Sequence, residues 1–183
     1  VMEGDVEEVN SYLYQGGGAY GIYTWSLYIP YGGWQRDTST YRWYPDSSQL
    51  NMYLEVRDHG TDYTAEEFYT SYEEQFDEVL TNEGTGADIP WAIGVQESAG
   101  GRYTSSILVA GETGCYEVLW TYAAEAAEGW GQRLRYVAAT FRLAGESEGY
   151  NWGELQSAGG AADDIAVVTQ GTGDPWIEAG TYL

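Results

Sequence analysis

Alternation of apolar and polar positions marks most of this chain as strand. In residues 50–57, Leu50, Met52, Leu54 and Val56 fall on one side and Asn51, Tyr53, Glu55 and Arg57 on the other. That is the pattern of an antiparallel strand with one face in a core and the other wet or partnered. Tyr23, Trp25, Leu27 and Ile29 alternate in the same way ahead of the turn Pro30-Tyr31-Gly32-Gly33-Trp34. A short strand around Tyr41-Arg42-Trp43-Tyr44 is closed by Pro45-Asp46-Ser47-Ser48, a good turn sequence. Further along, Ile93 and Val95 mark a strand. Residues 103–110 form the next, and Tyr116, Val118, Trp120 and Tyr122 the last. The Gly-rich turns at 98–101 and 111–114 predict antiparallel hairpins between them. Val9-Asn10-Ser11-Tyr12-Leu13-Tyr14, ahead of Gly16-Gly17-Gly18, reads as an extra strand or an arm.

In two places the period changes to 3.6. Ala65, Phe68, Tyr69, Tyr72, Phe76, Val79 and Leu80 form one helical stripe, with the acids Glu66, Glu73, Glu74, Asp77 and Glu78 opposite. Thr64-Ala65-Glu66-Glu67 is a capping-box sequence and Gly84 a stop, so the spacing predicts a helix from 64 to about 82. A second helix is predicted over 125–142, with the stripe Trp130, Leu134, Val137, Ala138 and Phe141. Arg133, Arg135 and Arg142 lie on it, and its cationic side is expected to meet acidic groups of the first helix or a nearby loop.

The order βββ-α-βββ-α predicts an α+β fold: one antiparallel sheet of about six strands with two helices packed on it. Residues 20–143 would form this domain and residues 1–19 an acidic N-terminal arm or extra strand. Residues 144–183, rich in Gly, Ala, Asp and Glu, would be a C-terminal extension. In that extension only Ile165–Thr169 is strand-like, and Trp152 and Trp176 are its isolated anchors.

Composition narrows the setting. Seven basic residues, all Arg, stand against 29 acidic ones, for a net charge of -22 in 183 residues. Such a body repels phosphates, which disfavours sequence-independent nucleic-acid binding. No apolar run approaches the roughly 20 residues of a membrane helix, so a soluble chain is expected. The aromatic load of 18 Tyr and 8 Trp, the absence of Lys and the start at Val1 together suggest an extracytoplasmic, mature or trimmed protein. The single Cys, Cys115, excludes an intrachain disulfide and reads as a small buried hydrophobe.

Three features carry a family resemblance. They are the turn Tyr28-Ile29-Pro30…Gly33-Trp34, the mid-chain amphipathic stretch after three strands, and Gly129-Trp130-Gly131-Gln132-Arg133-Leu134…Ala139-Thr140-Phe141-Arg142-Leu143. Over residues 20–143 the chain resembles the PsbP-like α/β sandwich superfamily, and within it envelope lipoprotein domains of Gram-positive gut bacteria. That resemblance implies a central antiparallel sheet with flanking helices, an extracytoplasmic location, a lipid anchor upstream and a non-catalytic binding or assembly role. It transfers no functional residue.

No catalytic constellation emerges from the residues, so a non-enzyme without cofactor or metal is expected. His59, in Arg57-Asp58-His59-Gly60, reads as a solvated turn residue, since adjacent Asp58 points to the opposite side of an extended strand. One His and one Cys are too few for a structural zinc site, and no calcium-loop spacing accompanies Asp163-Asp164 or Gly173-Asp174. The Gly-rich runs lack the residues of a phosphate loop. The functional content lies in the aromatic surplus around the first strands. Trp34, Tyr41, Trp43 and Tyr53 are the candidate binding residues, on an aromatic-rich sheet face that would take a protein or a polysaccharide. Two alternatives stand beside this reading. One is a carboxylate-based, glycosidase-like hydrolase, for which Glu73, Glu74, Asp77 and Glu78 are the candidates. The other is an assembly protein whose C-terminal tail adds a strand to a neighbour, giving a homo-oligomer.

Overall fold

The computed structural model describes residues 7–18, 20–45, 51–64, 67–68, 70–71, 78–80, 91–98, 100–145 and 176–179. These form two antiparallel sheets. The smaller contains β1 (Glu7–Gly16), β2 (Trp25–Pro30), β10 (Arg142–Leu143) and β11 (Trp176–Ala179), in the order β10-β2-β1-β11. The larger contains β3 (Gln35–Arg36), β4 (Arg42–Tyr44), β5 (Tyr53–Asp58), β6 (Glu78–Leu80), β7 (Trp91–Ser98), β8 (Arg102–Gly111) and β9 (Gly114–Ala123). Its order is β3-β4-β5-β9-β8-β7-β6. The one full α-helix among the described residues is α1 (Gln132–Ala139).

This corrects the α+β expectation of one six-stranded sheet with two helices. The capping box forms as expected: Glu67 accepts from the Thr64 backbone N–H at 2.9 Å, and Thr64 Oγ1 accepts from the Glu67 N–H at 3.2 Å. Residues 67–68 and 70–71 are helical. The stripe does not run on to Leu80, however, because Glu78–Leu80 is strand and pairs with β7. Val79 and Leu80 suit a helical stripe and a short apolar strand equally well, and periodicity cannot separate the two. The second predicted helix is also shorter. A 3-10 turn (Ala124–Ala126) and a π turn (Ala127–Gly131) precede α1, and Arg142–Leu143 pairs with β2 instead of continuing the helix.

Elsewhere the pattern holds. Met52, Leu54 and Val56 are buried as their alternation requires. They meet Trp25, Leu27 and Ile29 of β2, Trp43, Ile107, Val109, Tyr116, Val118 and Trp120, with Leu134, Val137, Ala138 and Phe141 of the α1 region closing the core. Strands β8 and β9 are buried on both faces. Ile107, Val118 and Trp120 face this core, while Ser106, Leu108, Cys115, Glu117 and Leu119 lie on the other side of the same strands and are buried too.

The N-terminal segment forms a strand: β1 pairs with β2 from Ser11↔Pro30 to Gly16↔Trp25, so the hairpin crosses the boundary expected at 19/20. In the C-terminal extension, Trp176–Ala179 pairs with Glu7–Asn10, and the run Ile165–Thr169 lies outside the described residues.

The hairpin is seated by one close approach. A Cβ on Gly16 would lie 2.2 Å from the Trp25 ring. Trp25 is fully buried, so its ring has nowhere to go. Gly16→Ala is therefore expected to destabilise the protein by about 1–3 kcal/mol through overpacking, measured as a lower urea midpoint at unchanged slope.

Candidate binding loop

The four residues expected to form an aromatic binding face do not share one. Trp43 is 0% exposed and sits in the core. Trp34 and Tyr41 pack against that core from its edge. Tyr41 lies 5.0 Å from Trp25, ring to ring, and its hydroxyl accepts the Gly17 N–H at 3.3 Å. Tyr53 stands on the opposite face of the larger sheet, where the Arg42 guanidinium covers its ring at 4.2 Å. The aromatic density of this region is therefore used mostly in packing. Of the hydrolase candidates, Glu78 falls on strand β6, and Glu73, Glu74 and Asp77 lie outside the described residues.

The outer face of the larger sheet carries a ladder of alternating charge. Arg42 and Glu55 are register partners on β4 and β5, and Arg57 and Glu117 are partners on β5 and β9. Arg42 Nη2 donates to Glu55 Oε2 at 2.7 Å, and Arg57 bridges Glu55 at 3.3 Å and Glu117 at 3.5 Å. Glu117 is 1% exposed. It accepts the Ser106 hydroxyl at 2.7 Å and faces His59 Nε2 at 3.4 Å. His59 is thus held against a buried carboxylate and the Phe68 ring, not solvated in a turn. Burial opposes the charge on Arg57, but Glu55 and Glu117 outweigh it and raise its pKa. The Arg42 pKa is raised too, by the Tyr44 hydroxyl and by Glu55.

This ladder lacks the wiring of a hydrolytic relay. Ser106 donates to the carboxylate, whereas a serine nucleophile would donate to the imidazole. Cys115 lies across from His59, whose backbone N–H donates to the Cys115 carbonyl at 2.8 Å. Burial, with Asp58 adding to it, pushes the Cys115 thiol up, the reverse of an activated nucleophile. Among the described residues no group of three or more His, Cys, Asp or Glu is placed to hold a metal.

The arginines of this region, Arg133 and Arg135 on α1 and Arg142 on β10, have the following contacts among the described residues, and most of the first predicted helix, whose acids were expected to meet them, lies outside those residues. Arg133 lies over the Trp130 ring at 5.1 Å, Arg135 donates to Gln132, and Arg142 donates to the Ser26 and Tyr28 hydroxyls.

Besides Tyr31 and Tyr63, the structure presents outward the large side chains of the loop between β1 and β2, where residues 17–18 and 20–24 are described. Tyr20 is 104% exposed and Ile22 71%, with Tyr23 beside them. The loop is nonetheless tightly built. A Cβ on Gly18 would sit 2.0 Å from the Ile22 carbonyl oxygen, so the backbone folds back onto itself at a contact only glycine allows. Its base is tied by the Thr24 N–H to the Gly16 carbonyl at 3.0 Å and by the Ala144 N–H to the Thr24 carbonyl at 2.8 Å. Tyr20 itself is held at φ 59°, a left-handed conformation that costs a bulky residue about 1 kcal/mol. The run Gly16-Gly17-Gly18 is thus a seat for a displayed side-chain cluster and not a slack linker.

A sequence signal for this loop existed apart from aromatic counting. From Val9 to Gln35 there is no Asp, Glu, Lys, Arg or His, in a chain whose charged share is 20%. That charge-free run covers the part of β1 that pairs with β2, the connection and all of β2.

Two outcomes test the ladder reading. Glu117→Ala strands the buried Ser106 hydroxyl and removes a partner of Arg57, so a loss of about 1–3 kcal/mol in urea unfolding is expected. The raised Cys115 pKa means that the unfolded chain ionises first as the pH climbs. This group contributes nothing at pH values below its unfolded pKa and costs stability above it. A Cys115→Ser variant should flatten the alkaline fall in stability. In the folded protein, Ellman's reagent should label Cys115 at least tenfold more slowly than a free thiol.

No protein-family model matches the chain and no curated protein matches it, so the PsbP-like resemblance gains no family match and the functional reading rests on the geometry above.

Proposed function

We propose that this protein is a non-enzymatic binding domain that engages a partner protein through the loop between β1 and β2. The observation that carries this reading is a rigidly seated loop displaying Tyr20, Ile22 and Tyr23 to solvent inside a charge-free stretch of a chain of net charge -22. A preorganised apolar display loses little entropy on binding, which is what an interaction surface requires. The exposed aliphatic Ile22 favours a protein surface over a sugar, since tyrosines stack on pyranose rings but an isoleucine gains nothing there. The acidic body favours a partner with basic residues around an apolar centre. An extracytoplasmic setting fits the tyrosine-rich, lysine-free composition, and among the described residues no helix is long and apolar enough to cross a membrane.

The test pairs the protein with a Tyr20→Ser/Ile22→Ser variant, both immobilised and exposed to the envelope and secreted fractions of the source cells. A protein retained by the parent should be held at least tenfold more weakly by the variant, a loss of about 1.4 kcal/mol or more. The thermal midpoint should be unchanged. A glycan array should stay blank. Equal retention by the two proteins would overturn the reading, as would saturable glycan binding abolished by the variant.

A further inference from the structure

Beside the loop stands Arg36, the residue that ends the charge-free run. It lies on β3 and is the register partner of Trp43 on β4. Register partners send their side chains to the same face of a sheet, and Trp43 is buried in the core. Arg36 therefore points inward from the edge of the larger sheet, yet it remains exposed. Its guanidinium carbon stands 4.8 Å from the Tyr14 ring centroid and 5.5 Å from that of Tyr41. Tyr14 belongs to the smaller sheet, so the cation sits at the mouth between the two sheets, on two rings that pack against Trp25. The Tyr41 hydroxyl in turn accepts the Gly17 N–H, which places the cation one tyrosine ring from the base of the displayed loop.

What Arg36 lacks is an anion. In a chain with 29 acidic residues against seven arginines, it has no ion pair and donates no hydrogen bond among the described residues. Arg42 and Arg57, by contrast, share Glu55. The acid next to Arg36 in sequence, Asp37, is engaged elsewhere: its Oδ1 accepts the Ser39 N–H at 2.9 Å and the Ser39 hydroxyl at 2.7 Å. Aromatic faces hold a guanidinium in place without using its N–H groups, so the whole planar fork stays available to an incoming pair of oxygens. A cation held in this way loses little side-chain freedom when it pairs, which is the property of arginine anchors in interfaces.

We propose that Arg36 is an anchor for a carboxylate of the partner protein, taken bidentately beside the Tyr20–Tyr23 loop. The inference rests on the reading of that loop as the binding element and adds the polar half of the recognition. Apolar side chains of the partner meet Tyr20 and Ile22, and one carboxylate meets the guanidinium. A monoanion suits this position better than a phosphate or sulfate. In the field of a chain of net charge -22, one cation neutralises one negative charge, and a second on the same ligand is repelled. The guanidinium fork also matches the two oxygens of a carboxylate in spacing and plane. The partner is thus basic at its rim, apolar at its centre and acidic at one point. An acidic side chain and a chain terminus offer the same group, and the probes below separate the two.

The experiment follows the full chain, labelled with nitrogen-15, by NMR at about 150 mM salt. The probes share one aromatic body. N-acetylphenylalanine ends in a free carboxylate, its amide has none, and N-acetylaspartylphenylalanine amide carries the carboxylate on a side chain. The Arg36 Nε–H and Gly17 amide resonances should shift saturably with at least one of the two acids, the tighter acid naming the source. The uncharged amide should bind at least fivefold more weakly. Arg36→Gln should weaken the tighter acid at least fivefold, and Arg36→Lys, which keeps the charge but loses the fork, at least twofold. If Arg36→Gln fails to fold, the comparison of acid with amide on the unaltered protein decides alone. Equal binding of acid and amide, or no saturable shift from any probe, would overturn the proposal. So would an acid response centred on another arginine, or a folded Arg36→Gln protein that binds the acid as tightly as the parent. A natural partner lost with Tyr20→Ser/Ile22→Ser but held equally by Arg36→Gln and the parent would sink the carboxylate anchor and leave the binding function standing.

Discussion

The stacking of the Trp25 ring on the bare backbone of Gly16 is the contact on which the rest of the hairpin depends. Trp25 is buried among Tyr14, Tyr41 and Phe141, with ring centroids 5.9, 5.0 and 5.8 Å away. Tyr14 belongs to β1, Tyr41 precedes β4 and Phe141 follows α1, so one indole joins both sheets to the helical segment. Its Nε1 is buried without a hydrogen-bond partner among the described residues, as is that of Trp43. Shape, not polar bonding, therefore places it. An unpaired buried donor costs about 1–3 kcal/mol, which the burial of so large a ring can offset. With the ring in place, neither Gly16 nor Gly17 has room for a side chain.

The larger sheet meets a different demand. Its inner face is apolar, but its outer face, also buried around β8 and β9, holds a carboxylate at Glu117. Burying that charge is tolerable because register puts Arg57 directly across from it and Glu55 across from Arg42. Alternating sign along the ladder leaves Glu55 between Arg42 and Arg57 and sets Glu117 beside Arg57, with Ser106 and His59 also against Glu117. Such a network specifies strand register, since a one-residue slip of β5 would turn Glu55 and Arg57 toward the Trp25 core and leave Arg42 and Glu117 without them.

The part of the fold legible in the sequence is the part governed by local alternation or capping. Met52, Leu54 and Val56, the Thr64 cap, the buried Cys115 and the hairpin at Gly111–Gly114 all follow from near neighbours along the chain. Division into two sheets is non-local. Nothing between residues 7 and 44 states that β1 and β2 leave the sheet that β3 and β4 join. Val79 and Leu80 satisfied two periodicities, and strand pairing with β7 decided between them. His59 is not legible from its sequence neighbour Asp58, because its partner, Glu117, lies 58 residues away across a strand pair. The aromatic face failed for a related reason: counting Tyr and Trp identifies a region but not which rings face the core. Charge absence would have pointed closer, because a stretch without ionisable groups in so acidic a chain needs a reason beyond packing.

That segregation of charge has a physical consequence for recognition. At physiological salt the field of exposed acids decays over about 8 Å, so the acidic surface draws basic partners in and turns acidic ones away during approach. Over the hairpin no carboxylate has to be stripped of water when surfaces meet, and desolvating a charge there would cost more than a single apolar contact returns. Approach and residence are therefore governed by different residues. For a partner of the kind proposed, the acids distributed elsewhere would set how quickly and how selectively it arrives. On the proposed reading, Tyr20 and Ile22 would determine how long it stays, because apolar contact acts mainly on dissociation. Binding of that kind would draw on none of the charged ladder on the larger sheet, whose observed contacts hold Glu117 to its neighbouring strands.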